Sequence, residues 1–193
     1  MKAAVLGATG YAGMVLLRLL GSHPEISEVL AVSSSRSGEA ITDTDGGLAG
    51  EALAAAGGSY VSLSEAQDRG PDVVFSALPH LKSAELLESF LRRVPVIDLS
   101  ADFRIADVQA FEDGYGQAPP RADLLEDAVY GLSETYHDQI ATADIVANPG
   151  CYPTCSLLPL IPLVREGIVT GPVIINALSG ISGAGRKNKT NLL

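Results

Sequence analysis

The sequence predicts an α/β fold built on a doubly wound, mostly parallel sheet. Apolar runs rich in Val, Ile and Ala alternate with helical stretches, the order that places helices on both faces of a sheet. Several runs are apolar at nearly every position, as strands covered on both faces are. A glycine-rich turn joins the first run directly to the first helical stretch. With 193 residues, 47% of them apolar, the chain can bury the core of one domain, or of one domain and part of another. Asp and Glu outnumber Lys and Arg by 23 to 13, for a net charge of −10, which argues against nucleic acid and anionic membranes as partners. No apolar run is long enough to span a bilayer, and the first breaks at Gly7-Ala8-Thr9-Gly10, too soon for a secretory signal. Two cysteines make no disulfide framework. A cytoplasmic protein is expected.

The first strand is expected at Ala3–Leu6 and the first helix at Gly10–Leu20, with Val15, Leu16, Leu19 and Leu20 on its buried face. Between them runs Gly7-Ala8-Thr9-Gly10-Tyr11-Ala12-Gly13, spaced G-x-x-G-x-x-G. Such glycines allow a tight turn and let backbone N–H groups approach a pyrophosphate at the positive end of the helix. The same triplet could serve close strand–helix packing alone. Its place at the first strand–helix junction favours a Rossmann-like dinucleotide site. The second strand, Val29–Ser33, exits into Ser33-Ser34-Ser35-Arg36-Ser37-Gly38, with no acid before Glu39. An NAD site usually holds the ribose hydroxyls with an acid there, whereas hydroxyls and an arginine suit a 2′-phosphate. NADP is the expected cofactor; the alternative for Arg36 is a solvated loop residue.

Gly38–Gly58 reads as loop plus short helix. Further strands are expected at Val73–Ala77, Pro95–Leu99, Asp144–Ala147 and Pro172–Ala177, and helices at Leu81–Arg92 and Cys151–Arg165. Ala106–Asp127 is broken by Gly114, Gly116, Pro119 and Pro120 and shows only turns. A boundary near Pro149-Gly150 divides a Rossmann-like NADP-binding domain, residues 1–148, from a following segment, residues 149–193.

That boundary carries the second chemical signal. Asn148-Pro149-Gly150-Cys151-Tyr152-Pro153-Thr154 follows a strand and opens an apolar helix. A thiol at a helix N-terminus meets unpaired N–H groups and the positive end of the dipole, which favour the thiolate. Such a thiolate could attack an activated carbonyl and hold it as a thioester. A buried structural cysteine is the commoner fate, but the Pro-Gly turn exposes the first helical turn. Cys155, one turn on, reads as a small core residue. Of His23, His80 and His137, only His80 follows an apolar strand at a sheet edge, and none repeats at metal-ligand spacing. Arg104, in Asp98-Leu99-Ser100-Ala101-Asp102-Phe103-Arg104, could reach an anion in the same crevice or serve as an ordinary ion-pair partner. The loop Ser179-Gly180-Ile181-Ser182-Gly183-Ala184-Gly185-Arg186-Lys187 suits a phosphate or carboxylate, or simple flexibility.

Together GATGYAG, SSSRSG, ALPH, DLSADFR, VYGLSE, NPGCYPT and SGISGAGRK, in that order, resemble the N-acetyl-γ-glutamyl-phosphate reductases of the semialdehyde dehydrogenase superfamily. NPGCYPT is the most specific of these. The resemblance implies NADPH-dependent reduction of an acyl phosphate to the semialdehyde in arginine biosynthesis, with release of phosphate. It implies Cys151 as nucleophile, and Gly7, Thr9, Gly10, Tyr11, Ala12 and Gly13 along the pyrophosphate. It further implies Ser34 and Arg36 at the 2′-phosphate, Ser182 and Gly183 beside the nicotinamide, and Arg104 near the substrate phosphate. A small-molecule acyl phosphate is the implied partner, in a homo-oligomer built through an α+β substrate domain of which residues 149–193 are the start. Family chains continue past SGAGRK to a histidine-containing motif that supplies the general acid/base. The sequence is therefore expected to be a piece of a longer chain, or to have lost its frame near Asn188, and to be weakly active or inactive as it stands. Two other readings remain: a reductase of a carrier-protein-linked aminoadipyl or glutamyl phosphate, and a non-catalytic NADP-binding module.

Overall fold

The computed structural model describes residues 1–186. Lys187, the far end of the expected Gly/Ser loop, and the rest of the 149–193 segment beyond it lie outside the described residues. Six strands form one sheet: β1 (Lys2–Leu6), β2 (Glu28–Val32), β3 (Val73–Ser76), β4 (Val96–Asp98), β5 (Ala128–Tyr130) and β6 (Ile145–Ala147). Their order is β2-β1-β3-β4-β6-β5, and every pair is parallel. The chain moves from β1 to β2 on one side, then crosses back over β1 to β3. That reversal is a topological switch point, and it opens a crevice beyond the carboxyl ends of β1 and β3. Register lines up Val32, Leu6, Ser76, Asp98, Ala147 and Tyr130 as neighbours across the sheet, so the loops leaving all six strands share one edge.

Alternate residues of each strand face opposite sides. Ala4 and Leu6 of β1 join a core with Val32, Val74, Val96 and Ile145, while Ala3 and Val5 join a second with Val29, Ala31 and Val73. Helix α1 (Tyr11–Gly21) covers the second face with α2 (Gly50–Ala55). The first face carries α3 (Leu63–Asp68) and α4 (Ser83–Leu87), with Phe90 and Leu91 just beyond. Two buried faces explain why the strand sequences show no alternation of apolar and polar residues.

Several expected elements change. Helix α1 buries Gly13, Leu17 and Leu20, while Val15 and Leu19 are 52% and 64% exposed. Gly13 presses against the glycine turn, and that contact rotates the helix so that the residues four and seven positions on face inward. The helix expected at Leu81–Arg92 shrinks to Ser83–Leu87: Leu81, in left-handed backbone (φ 65°), blocks an earlier start, and residues 88–93 run on as turns, with Arg92 again left-handed (φ 60°). The broken stretch Ala106–Asp127 contains α5 (Val108–Tyr115), capped by the Asp107 side chain at one end and by left-handed Gly116 at the other. Strand β5 went unforeseen. It is followed by α6 (Ser133–Ile140). Residues 172–177 form no strand: Ile174 is 87% exposed and Leu178 wholly so, and a strand exists only when a neighbour pairs its backbone. The last helix, α7 (Cys151–Arg165), buries none of its residues, and among the described residues none beyond Pro149 is buried. Among the described residues no helix is long and apolar enough to cross a membrane.

Candidate functional site

The crevice at the switch point is a cleft of about 780 Å³. Its floor is the turn between β1 and α1. Gly7 has φ +76°, and a Cβ there would lie 2.7 Å from the Ala77 carbonyl oxygen. A Cβ at Gly13 would lie 2.4 Å from the Gly7 carbonyl oxygen, so no side chain fits at either position. These two glycines let the helix start close against both strands. Gly10, the N-cap, has no side chain to cap the helix, and the first turn carries no acid. The N–H groups of Tyr11, Ala12 and Gly13 have no partner within the helix, and the positive end of its dipole faces the cleft. An anion seated there meets donors and no competing carboxylate.

The cleft walls come from the other strand ends. Gly7, Thr9, Gly10, Tyr11 and Ala12 line it, and Ser33, Ser34 and Ser35 close it beyond β2. Ala77 to His80, with Leu99, close it beyond β3 and β4. Ser182, Gly183 and Arg186 come across from the far end of the described chain, where the short 181–184 helical turn is pinned by Arg186 Nη1 donating to the Thr9 carbonyl at 3.2 Å. No Asp or Glu lines the cleft among the described residues. Of the sequence-derived candidates, Gly13 supports the floor from behind. Arg36 lies just outside, its Nη1 paired with Glu39 Oε2 at 2.8 Å on the surface.

Cys151 and Arg104 sit further along the same edge. Cys151 is exposed and opens α7, directly beyond β6. β6 is two strands from β3, roughly 10 Å at ordinary strand spacing. Arg104 donates from Nε to the Asn148 carbonyl and from Nη2 to the Leu99 carbonyl, both at 2.7 Å, tying the loop after β4 to the end of β6. Its Nη1 faces Gly150, where a Cβ would lie 3.1 Å away. The arginine is thus held beside the turn that presents the thiol. Cys155 is exposed rather than in a core.

Two buried acids in this edge were not legible as such. Asp98 and Asp102 are both fully buried. Asp98 accepts from Ser83 Oγ at 2.6 Å and from Ser100 Oγ, and burial pushes its carboxyl above the ordinary value, against those hydrogen bonds. In sequence Asp98 ends an apolar strand and Asp102 follows in a polar turn; only the sheet register puts them under the loop that follows β3.

A doubly wound sheet with a glycine turn and an open helix start at its switch point, and a thiol delivered at a helix start along the same edge, defines a nucleotide-binding type of domain leading into a thiol-bearing segment. The chain belongs to the semialdehyde dehydrogenase family: the family's NAD binding domain matches residues 2–143, and its dimerisation domain matches residues 151–193. Over its whole length the chain is 44% identical to the N-acetyl-gamma-glutamyl-phosphate reductase of Neisseria meningitidis serogroup C and 43% identical to that of Campylobacter jejuni. In each case it spans 55% of the relative, about half the length of the curated relatives it matches. The fold also matches aspartate semialdehyde dehydrogenase of Candida albicans, solved with NADP, at a TM-score of 0.57 and 22% identity, covering 86% of this chain and 47% of that one.

Proposed function

We propose that this chain is the nucleotide-binding and thiol-bearing part of an NADPH-dependent N-acetyl-γ-glutamyl-phosphate reductase. The observation that carries the reading is identity above two in five residues, along the entire chain, to relatives bearing that name. The site agrees with it. Residues 1–148 act as the nucleotide domain, with Gly7, Thr9, Gly10, Tyr11, Ala12 and Gly13 cradling the pyrophosphate. Ser34 and Arg36 take the 2′-phosphate. Arg36 would exchange Glu39 for it at small cost, because an exposed ion pair is worth about 0–1 kcal/mol. The lack of a carboxylate in the cleft among the described residues favours NADP over NAD. Ser182 and Gly183 border the nicotinamide half.

Residues 149–193 begin the catalytic and self-associating segment, and the protein is a homo-oligomer through it. The Cys151 thiolate attacks the carbonyl of the acyl phosphate. A C–S bond forms, the C–O bond to phosphate breaks, and inorganic phosphate leaves. Arg104, beside that turn, offers positive charge to the departing phosphate. NADPH, when bound, would supply the hydride that adds to the thioester carbonyl. Collapse of the tetrahedral adduct on Cys151 then breaks the C–S bond, releases the aldehyde and returns Cys151 to the thiolate. The test is NADPH oxidation with N-acetyl-γ-glutamyl phosphate by the whole reductase carrying this chain. Cys151→Ser should reduce turnover to background, and normal turnover from that variant overturns the reading.

A further inference from the structure

We propose that His80 donates a hydrogen bond from Nε2 to the nicotinamide half of the bound dinucleotide, with Asp102 as the residue that positions it. The inference rests on the dinucleotide reading and adds a ligand and its support. The nucleotide halves lie on either side of the switch point: the adenosine half beyond β2, the other half beyond β3 and β4. His80 lines the cleft on that second side, with Pro79 and Leu99.

The loop after β3 and the loop after β4 hold each other. The Ala101 N–H donates to His80 Nδ1 at 3.0 Å. Accepting that bond occupies the Nδ1 lone pair, so the ring proton sits on Nε2. In return Asp102 accepts the Leu81 N–H on Oδ1 at 2.6 Å and the Ala84 N–H on Oδ2 at 3.0 Å. Leu81, the residue after His80, has φ 65°, a conformation that a leucine keeps only where its surroundings hold it. The Asp102 carboxylate is what holds it. Asp102 is fully buried, and its own N–H donates to Ser100 Oγ, which donates on to Asp98. A carboxylate so enclosed, with both oxygens spent on one loop, fixes that loop's backbone and therefore the ring. The outcome is an exposed imidazole whose orientation and tautomer are set before ligand arrives.

The test titrates residues 1–193 with NADPH and, separately, with adenosine 2′,5′-bisphosphate, which lacks the nicotinamide half. His80→Ala should weaken NADPH about three- to tenfold, the range of one hydrogen bond, and leave the bisphosphate unchanged. His80→Gln, which keeps a donor at similar reach, should restore most of the loss. Asp102→Asn, which can accept only one of the two N–H groups well, should show the same selective loss and shift the ¹⁵N signals of the His80 ring away from the Nε2–H form. Unchanged NADPH affinity in His80→Ala overturns the proposal, as does equal weakening of both ligands. So does a wild-type ring spectrum with the proton on Nδ1, a measurement that needs no variant to fold. A wild-type chain that binds neither ligand overturns the dinucleotide reading itself, and this proposal with it.

Discussion

Asp98 shows how one side chain records its surroundings. Desolvation raises its folded-state affinity for a proton, and the neighbouring Asp102 charge raises it further, while Ser100 and Ser83 hydrogen bonds oppose the rise. With the folded value above the unfolded one of 3.8, the carboxyl's contribution to stability is complete below that value and is lost as pH climbs through the raised one. Asp98→Asn stays uncharged and can still accept from Ser83. The melting temperature of this variant should fall less than that of wild type between about pH 4 and pH 8, measured in parallel by calorimetry. Equal falls would mean that Asp98 does not titrate in that window.

Among the elements, α5 connects local capping to the crevice. The Asp107 side chain accepts the Ala110 N–H at 2.7 Å, and Gly116 closes the helix in left-handed backbone. Between those caps, Phe111 is fully buried and Tyr115 stacks at a tilt 6.1 Å from the His80 ring. Removing the cap with Asp107→Ala should cost about 1 kcal/mol, a drop of roughly 2–4 °C in melting temperature for a chain of this size. If the helix frays, the Tyr115 contact loosens with it. Urea denaturation of the variant, with unchanged slope and a lower midpoint, is the expected result.

The whole molecule is unevenly built. Among the described residues, the buried ones lie in the sheet, its covering helices and the loops between them, while residues 151–186 contribute none. Val173, Ile174, Ile175 and Leu178 are exposed together beyond α7, an apolar row with unpaired backbone. Such a row promotes association, and the family's dimerisation domain matches this part of the chain. Replacing Ile174 and Leu178 together by Lys should lower the apparent mass of residues 1–193 in light scattering and reduce binding of a hydrophobic dye. NADPH affinity should stay the same, since neither residue lines the cleft. Unchanged association would place the contact elsewhere.

What the sequence alone determined was whatever depends on neighbours along the chain. The run into Gly7 and the spacing to Gly13 already specify a strand, a tight turn and a helix start, because those requirements are local and steric. The same holds for five of the six strands, whose apolar runs need only two covered faces, and for the thiol at the start of α7. Even the caps of α5 were there to be seen in Asp107 and Gly116. Tertiary structure decided the rest. Which face of α1 turns inward follows from the contact of Gly13 with Gly7, not from its leucines. Residues 172–177 have a strand's composition and no strand, since pairing needs a partner that composition does not supply. The burial of Asp98 and Asp102, and with it the orientation of His80, comes from strands far apart in sequence being laid side by side. An isolated acid prefers water, and only the register of the sheet removes that choice.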